Sequence, residues 1–176
     1  MFTGAQAQGL SVAEGKGTTH MSIVDRDGNA VTMTTTIESG MGSFHFTRGF
    51  LLNNQLTDFS FDPSDASGPI ANRVAPLKRP RSSMSPTIVI GPDGRVRLAV
   101  GAAGGPTIPA QVIKAIIGVI DWKMSAQAAI AAPEIFAPSG PNIFVEQGTR
   151  LEAMIPALNA LGHASVKTVP PQTFKA

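Results

Sequence analysis

Short apolar segments, interrupted by turns rich in Gly, Asp, Asn and Pro, occupy much of the first hundred residues. Two strand-like segments, His20–Asp25 and Ala30–Ile37, flank an Asp-Gly turn. A second pair, Pro86–Ile90 and Val96–Val100, flanks another Asp-Gly turn. Gly takes the positive φ that tight turns require, so each pair predicts a β-hairpin.

The rest of the pattern predicts one further strand before residue 86, and then mainly helices. Gly49–Asn53 indicates a short strand that enters a buried place. The later segments are predicted as helix, helix, strand, helix and strand: Pro109–Trp122, 125–132 capped by Ser125, Asn142–Glu146, Leu151–Leu161 and Ala164–Val169. Antiparallel strands followed by helices favour an α+β layered fold.

Three segments refine this picture. Residues 1–17 are rich in Gly, Ala and Gln without periodicity, which predicts a flexible leader. Residues 56–82 predict a long loop, and such loops are often functional. The apolar residues of Pro109–Trp122 cover more than one helix face, which suggests burial between two layers.

Composition narrows the class of protein. The chain has 176 residues, of which 43% are hydrophobic and 15% are charged. This composition predicts one globular domain, part of whose surface another chain covers. A net charge of +2 argues against nucleic-acid binding, and Lys78–Arg81 is interpreted as a solvated loop. The absence of cysteine excludes disulfides, thiol nucleophiles and Cys-based metal sites. No apolar run is long enough for a membrane span, and residues 1–6 do not resemble a signal peptide.

The segment Gly17-Thr18-Thr19-His20 is the first candidate for chemistry. If the Gly17–Thr18 bond is cut, the new α-amine of Thr18 can take the proton of its own hydroxyl, since such amines have pKa values of about 7.7–8.0. Gly17 leaves its carbonyl open to attack by Thr18. Taken alone, however, two threonines before a strand are more often plain strand sequence.

Three other segments supply groups that a nucleophile would need. Ser82 and Ser83 are adjacent hydroxyls suited to a carboxylate. Gln55 and Asp58 offer an amide and a carboxylate that suit an ammonium. The Gly-rich turn 101–106 precedes a helix, and its backbone N–H groups can stabilise an oxyanion.

Taken together, these motifs resemble the small subunit of the γ-glutamyltransferase family. The resemblance runs from Thr18 to Phe174 and rests on five segments in order: 18–22, 27–31, 51–55, 78–87 and 104–105. It implies an N-terminal nucleophile hydrolase, with this chain forming part of a four-layer αββα sandwich of antiparallel sheets flanked by helices. It divides the chain into a large-subunit remnant, 1–17, and a catalytic domain, 18–176.

By the same resemblance, each candidate residue takes a role. Thr18 is the nucleophile for self-cleavage and for acyl transfer, and Thr36 is the second threonine, which bonds it. Gln55 and Asp58 bind the substrate α-amine. The remaining roles fall to a carboxylate-binding pair, Ser82 and Ser83, and to an oxyanion hole, Gly104 and Gly105.

The reaction implied is attack by Thr18 on the γ-amide of glutathione or a related compound, followed by transfer of the acyl group to water or an amino acid. No metal or organic cofactor is expected, and the separated His20, His45 and His163 show no ligand spacing. The partner implied is the large subunit of the same precursor. The resemblance favours a periplasmic or secreted location, with a cytoplasmic one left open.

The chain also departs from the family pattern. Glu38 stands where better-known members carry asparagine, and it contributes to the substrate-binding set. The loop between Asp58 and Ser82 looks shorter than in members with a closed lid, which predicts a more open site. A large subunit before Thr18 and an Asp-Pro-Arg-Ser segment after residue 176 are expected but are not in the chain. Two alternatives therefore stay open: a cephalosporin or glutaryl acylase of the same superfamily, and an inactive fragment.

Overall fold

The structure is a computed structural model that describes residues 17–138, 141–171 and 173. The predicted flexible leader lies outside the described residues except for Gly17. Within the described part the strands are β1 (Thr18–Val24), β2 (Ala30–Thr36), β3 (Phe46–Thr47), β4 (Phe50–Leu51), β5 (Ser64–Asp65), β6 (Gly68–Pro69), β7 (Thr87–Ile90), β8 (Val96–Val100), β9 (Ile135–Phe136), β10 (Asn142–Glu146) and β11 (Ser165–Val169). The helices are α1 (Ile108–Ile120), α2 (Ala126–Ala131), α3 (Arg150–Ala153) and α4 (Ile155–Ala160), with 3-10 turns at Gln55–Asp58 and Gly105–Thr107.

Both predicted hairpins are confirmed. In the first, Thr18 pairs with Thr36 and Val24 with Ala30, and Gly28 takes a φ of 87° in the turn. The second hairpin, β7–β8, lies beside the first, where the Thr32 hydroxyl donates to the Val100 carbonyl over 3.3 Å. This contact places the middle of β2 beside the end of β8.

The prediction for Gly49–Asn53 is only partly right. A strand forms there, but it is the two-residue β4, paired with β3. Its Phe50 is 56% exposed, so the strand does not enter a buried place. The long loop that follows is confirmed, interrupted by the 3-10 turn, the small β5–β6 hairpin and an isolated bridge between Ser60 and Arg73.

Helix α1 forms as predicted but buries one face. The buried residues follow helical spacing: Ile108, Val112, Ala115 and Gly118. Ile113 is 56% exposed, whereas Ile116, Ile117, Val119 and Ile120 are half-buried, so full burial is confined to one face in this structure. Helix α2 packs on α1, and Ser125 caps it by accepting from the Ala128 N–H over 3.2 Å, as predicted.

The last third forms a three-stranded sheet around the central strand β10. Strand β9 pairs with it antiparallel, whereas β11 pairs with it parallel, unlike the antiparallel sheets that the resemblance implies. The reason is the helical crossover between β10 and β11, since parallel strands need a long connection. The single helix predicted over Leu151–Leu161 is instead α3 and α4, because Pro156 cannot donate a backbone hydrogen bond within a continuous helix.

One face of the first hairpin is apolar and exposed. Met21 lies opposite Met33, and Ile23 lies opposite Val31. These four side chains, which we call the hairpin apolar face, are 38–56% exposed. Among the described residues, no helix has the length and hydrophobicity needed to cross a membrane.

Candidate active site

Thr18 opens strand β1, and its hydroxyl lies against a second threonine hydroxyl. Thr18 Oγ1 is 2.8 Å from Thr36 Oγ1, because the hairpin register sets these two residues opposite each other. Thr36 Oγ1 also accepts the Glu38 backbone N–H over 2.9 Å. Since that N–H occupies one lone pair, the Thr36 hydroxyl is well suited to donate its hydrogen to the Thr18 oxygen.

Gly17, immediately before Thr18, is tightly enclosed. Its carbonyl accepts the Ile37 backbone N–H over 2.9 Å, which extends the hairpin ladder by one residue. A Cβ at Gly17 would lie 2.6 Å from the Ser39 carbonyl oxygen and 2.8 Å from the Ile37 side chain. The residue before Thr18 therefore has no room for a side chain in this conformation.

Thr18 faces a pocket of about 370 Å³. The pocket brings together eight of the nine residues singled out from the sequence, namely Thr18, Thr36, Glu38, Gln55, Asp58, Ser82, Ser83 and Gly105. The ninth, Gly104, is buried immediately beside Gly105. Arg81 also lines the pocket, and it adds a cation that the sequence interpretation had assigned to a solvated loop.

Glu38 is held by a ring of donors. Its backbone takes a left-handed conformation with a φ of 73°, unusual for a residue with a side chain. Oε2 accepts the Ser39 hydroxyl over 2.6 Å, the Thr57 hydroxyl over 3.2 Å and the Asn54 carboxamide. The Ser39 hydroxyl is the main reason that the pKa of Glu38 lies below its ordinary value. Glu38 is therefore ionised at neutral pH.

The pKa of Asp58, in contrast, lies above its ordinary value. Burial is the main cause that raises the pKa of Asp58, and the negative charge of Glu38 adds to it. A hydrogen bond from the Gln55 carboxamide and the positive charge of Arg81 act against these two causes. The two carboxylates make this end of the pocket attractive to a cation.

Asn72 links the two loops that carry the other polar groups. Its carboxamide donates to the Asp58 carbonyl over 2.6 Å and accepts the Arg81 backbone N–H over 3.0 Å. Ser82 and Ser83 follow directly, and the Ser82 hydroxyl accepts the Met84 N–H over 3.2 Å. Asn72 is not among the residues predicted from the sequence, since an asparagine in a turn-rich loop carries no distinguishing signal.

The Gly-rich turn enters the pocket from the side of α1. Gly104 and Gly105 have φ values of 130° and 61°, so both take conformations that favour glycine. Gly105 and Pro106 line the pocket directly before the helix. The turn thus lies where backbone N–H groups can face a group bound at Thr18.

His20 lies on the same strand as Thr18 but outside the pocket. Its ring nitrogens bond to the Thr34 hydroxyl over 2.8 Å and to the Ser22 hydroxyl over 3.0 Å. The ring packs on Gly101, where an added Cβ would lie 2.1 Å from a ring carbon. Burial lowers the pKa of His20. Its role here is to pack β1 against the start of the Gly-rich turn.

Comparisons with known proteins identify the family. The family model described as gamma-glutamyltranspeptidase matches residues 3–174. The chain is 41% identical over 148 residues to the glutathione hydrolase proenzyme of Bacillus subtilis subsp. natto, covering 83% of this chain and 24% of that protein. The chain therefore spans about a quarter of the length of this curated relative.

Solved structures give the same result. A mutant of the Helicobacter pylori gamma-glutamyltranspeptidase is similar at 37% identity and a TM-score of 0.75, covering 86% of this chain and 84% of that one. A cephalosporin acylase from Bacillus halodurans is similar at 25% identity and a TM-score of 0.74, covering 88% of this chain and 28% of that one. The expected α+β architecture of an N-terminal nucleophile hydrolase is confirmed by these neighbours. The chain belongs to the γ-glutamyltranspeptidase family.

Proposed function

We propose that this chain is the catalytic part of a γ-glutamyl hydrolase and transferase, with Thr18 as the nucleophile. The observation that carries the proposal is the position of the Thr18 hydroxyl, 2.8 Å from Thr36 Oγ1 and inside a pocket with carboxylates and an arginine. Residues 1–17 would then end the large-subunit part of the precursor, and 18–176 would belong to the catalytic domain.

Self-cleavage would come first. The Thr18 oxygen attacks the Gly17 carbonyl carbon, the Gly17–Thr18 C–N bond breaks, and the departing amine takes up the hydroxyl proton. Water then hydrolyses the ester, which leaves a Gly17 carboxylate and a free Thr18 hydroxyl and amine. The Ile37 N–H on the Gly17 carbonyl supports this step, because it stabilises negative charge that develops on that oxygen.

In turnover, the free amine of Thr18 would act as the general base for its own hydroxyl. The Thr36 hydroxyl stabilises the oxygen as its proton leaves. Gly104 and Gly105 N–H groups would bind the oxyanion of the tetrahedral intermediate. The acyl group on Thr18 is then taken by water or by an amino acid.

The charges of the pocket favour a γ-glutamyl acyl group over a glutaryl one. A γ-glutamyl group carries an ammonium and a carboxylate, whereas a glutaryl group carries only the carboxylate. Glu38, Gln55 and Asp58 suit the ammonium, and Ser82, Ser83 and Arg81 suit the carboxylate. A glutaryl substrate would leave two carboxylates without a cation. The similarity to a cephalosporin acylase is the observation that keeps the acylase alternative as the second candidate.

The hairpin apolar face supports an assembly with the large subunit of the same precursor. Four exposed apolar side chains on paired strands form the kind of surface that monomeric proteins seldom leave open. A second layer of the sandwich packed on β1 and β2 would remove it from water. The low charge content of the chain is consistent with such coverage.

The test uses the full protein that carries this chain. We expect a γ-glutamyl anilide to be turned over with a higher kcat/KM than a glutaryl amide. Thr18→Ala removes the nucleophile and should abolish both cleavage at Gly17–Thr18, seen by intact mass, and turnover. Thr19→Ala, the neighbouring exposed threonine, is the matched control and should keep both. Wild-type turnover by Thr18→Ala would contradict the nucleophile assignment, and preference for the glutaryl amide would favour the acylase alternative.

A further inference from the structure

The Gly-rich turn is held from behind by two side chains that belong to the start of α1. The Gln111 carboxamide donates to the Ala103 carbonyl over 2.9 Å and to Thr107 Oγ1 over 3.0 Å. The Thr107 hydroxyl in turn donates to the Gly104 carbonyl over 3.0 Å. Thr107 is only 8% exposed, so this network is strengthened by its low-polarity surroundings.

The Thr107 hydroxyl does not cap α1. Thr107 takes helical φ and ψ values of −82° and −12°, because the 3-10 turn Gly105–Thr107 runs directly into the helix. Its side chain bonds instead to the carbonyl three residues earlier, that of Gly104. This bond fixes the conformation of the Gly-rich turn.

Because peptide bonds are planar, fixing the Ala103 and Gly104 carbonyls also fixes the direction of two N–H groups. In a trans peptide the C=O and the next N–H point in opposite directions. The Ala103 carbonyl shares its peptide plane with the Gly104 N–H, and the Gly104 carbonyl shares its plane with the Gly105 N–H. Holding both carbonyls toward the helix therefore turns the N–H groups of Gly104 and Gly105 the other way.

The two sides of the turn face different cavities. Ala103 and Gln111 line a separate cavity of about 310 Å³, together with His20 and Lys114. Gly105 lines the pocket that holds Thr18. Ala103 and Gln111 thus lie on the cavity away from Thr18, whereas Gly105 lies on the side of the nucleophile.

We infer that Gln111 and Thr107 are positioning residues that aim the Gly104 and Gly105 N–H groups at the oxyanion formed when Thr18 attacks. The inference rests on the proposed function. Neither side chain touches the substrate. Their effect should therefore fall on the tetrahedral transition state and spare the binding of the substrate amine and carboxylate, which the proposed function assigns to other residues.

The test compares Gln111→Leu and Thr107→Val with wild type in the full protein. Rates are expressed per active site, and active sites are counted by the acylation burst. For the amide that wild type hydrolyses, we expect kcat to fall about 10- to 100-fold, somewhat less than loss of an oxyanion donor, with KM changed less than about threefold. Binding of a boronic acid analogue of the acyl group, which forms a tetrahedral adduct, should weaken in parallel with kcat. Thr107→Ser keeps the hydroxyl and should restore most of the rate.

Thr149→Val is the matched control, because Thr149 also donates its hydroxyl to a backbone carbonyl, that of Glu146 over 2.7 Å, outside the pocket. It should lower the melting temperature without changing kcat. If Gln111→Leu folds poorly, Gln111→Glu keeps the shape, removes the donors and should give the same loss. Unchanged kcat in the folded variants, or an effect confined to KM, would overturn this inference and leave the proposed function standing. A wild-type protein that turns over neither the γ-glutamyl nor the glutaryl amide would instead contradict the proposed function.

Discussion

At the scale of single residues, the two carboxylates of the pocket differ in what surrounds them. Glu38 accepts from Ser39, Asn54 and Thr57, and these donors favour its charged form. Asp58 is disfavoured as an anion by burial and by the charge of Glu38. In the proposed complex, the substrate ammonium would relieve this cost at Asp58.

Neutral substitutions at these two positions should therefore shift stability in opposite directions. A raised pKa means that ionised Asp58 costs the folded state free energy at pH 7, so Asp58→Asn should raise the free energy of unfolding and also raise KM. A lowered pKa means that ionised Glu38 stabilises the folded state at pH 7, so Glu38→Gln should lower the free energy of unfolding.

Denaturant unfolding of both variants from pH 7 down to pH 3 checks this. The gain from Asp58→Asn should disappear as pH falls through the raised pKa of Asp58 toward its ordinary value of 3.8. The loss from Glu38→Gln should disappear as pH falls from 4.5 through the lowered pKa of Glu38. If both variants changed the free energy of unfolding in the same direction at pH 7, the opposite environments inferred for Asp58 and Glu38 would be contradicted.

At the scale of elements, α1 connects the site to the rest of the fold. Thr107 and Gln111, at its N-terminal end, lie behind the Gly-rich turn, while its last turn packs on α2. At that second contact Gly118 allows a close approach, since a Cβ there would lie 2.8 Å from the Ala129 Cβ. The buried Ala129 and the absence of a side chain at Gly118 set the distance between the two helices.

Gly118→Val should separate α1 and α2. Overpacking of this kind costs about 1–3 kcal/mol, and helix propensity offsets only part of it. Ala128→Val, on the exposed side of α2, is the control and should cost less than about 1 kcal/mol. Thermal unfolding of the two variants measures the difference, and equal melting temperatures would show that the close approach does not matter.

At the scale of the whole molecule, a buried ion pair links α1 to the last sheet. Lys114 Nζ lies 2.8 Å from Glu134 Oε2, with the two side chains 14% and 1% exposed. Lys114 also donates to the Ala132 carbonyl over 2.8 Å. The Glu134 N–H donates to the buried Glu146 carboxylate over 3.0 Å, so the connection continues into β10.

Lys114→Met should be strongly destabilising, because it removes the cation that lies 2.8 Å from the buried Glu134 carboxylate. Removal of one partner of a buried pair typically costs about 3–5 kcal/mol. Lys123→Met is the matched control, because Lys123 is exposed and donates to the Ile120 carbonyl, so its loss should cost little. Urea unfolding of both variants provides the comparison, and a small effect at Lys114 would argue against the ion pair as a structural link.

The sequence by itself determined the local features, because they depend on neighbouring residues. The Asp-Gly turns specify both hairpins, and the Ser125 cap specifies the start of α2. The family motifs identified the pocket residues, whose roles stay predictions. Pro156 is also a local signal, but the sequence prediction did not use it, and one helix was predicted where two form.

Tertiary structure alone decided what distant segments do to one another. Thr18, Asp58 and Ser82 share a pocket only because the hairpin, the 3-10 turn and the long loop pack together. The bridging role of Asn72, the parallel pairing of β10 with β11, and the Lys114–Glu134 pair have no local signature. The physical reason is the same for all three: burial and hydrogen bonding depend on which surfaces meet, and no short window of sequence contains both surfaces.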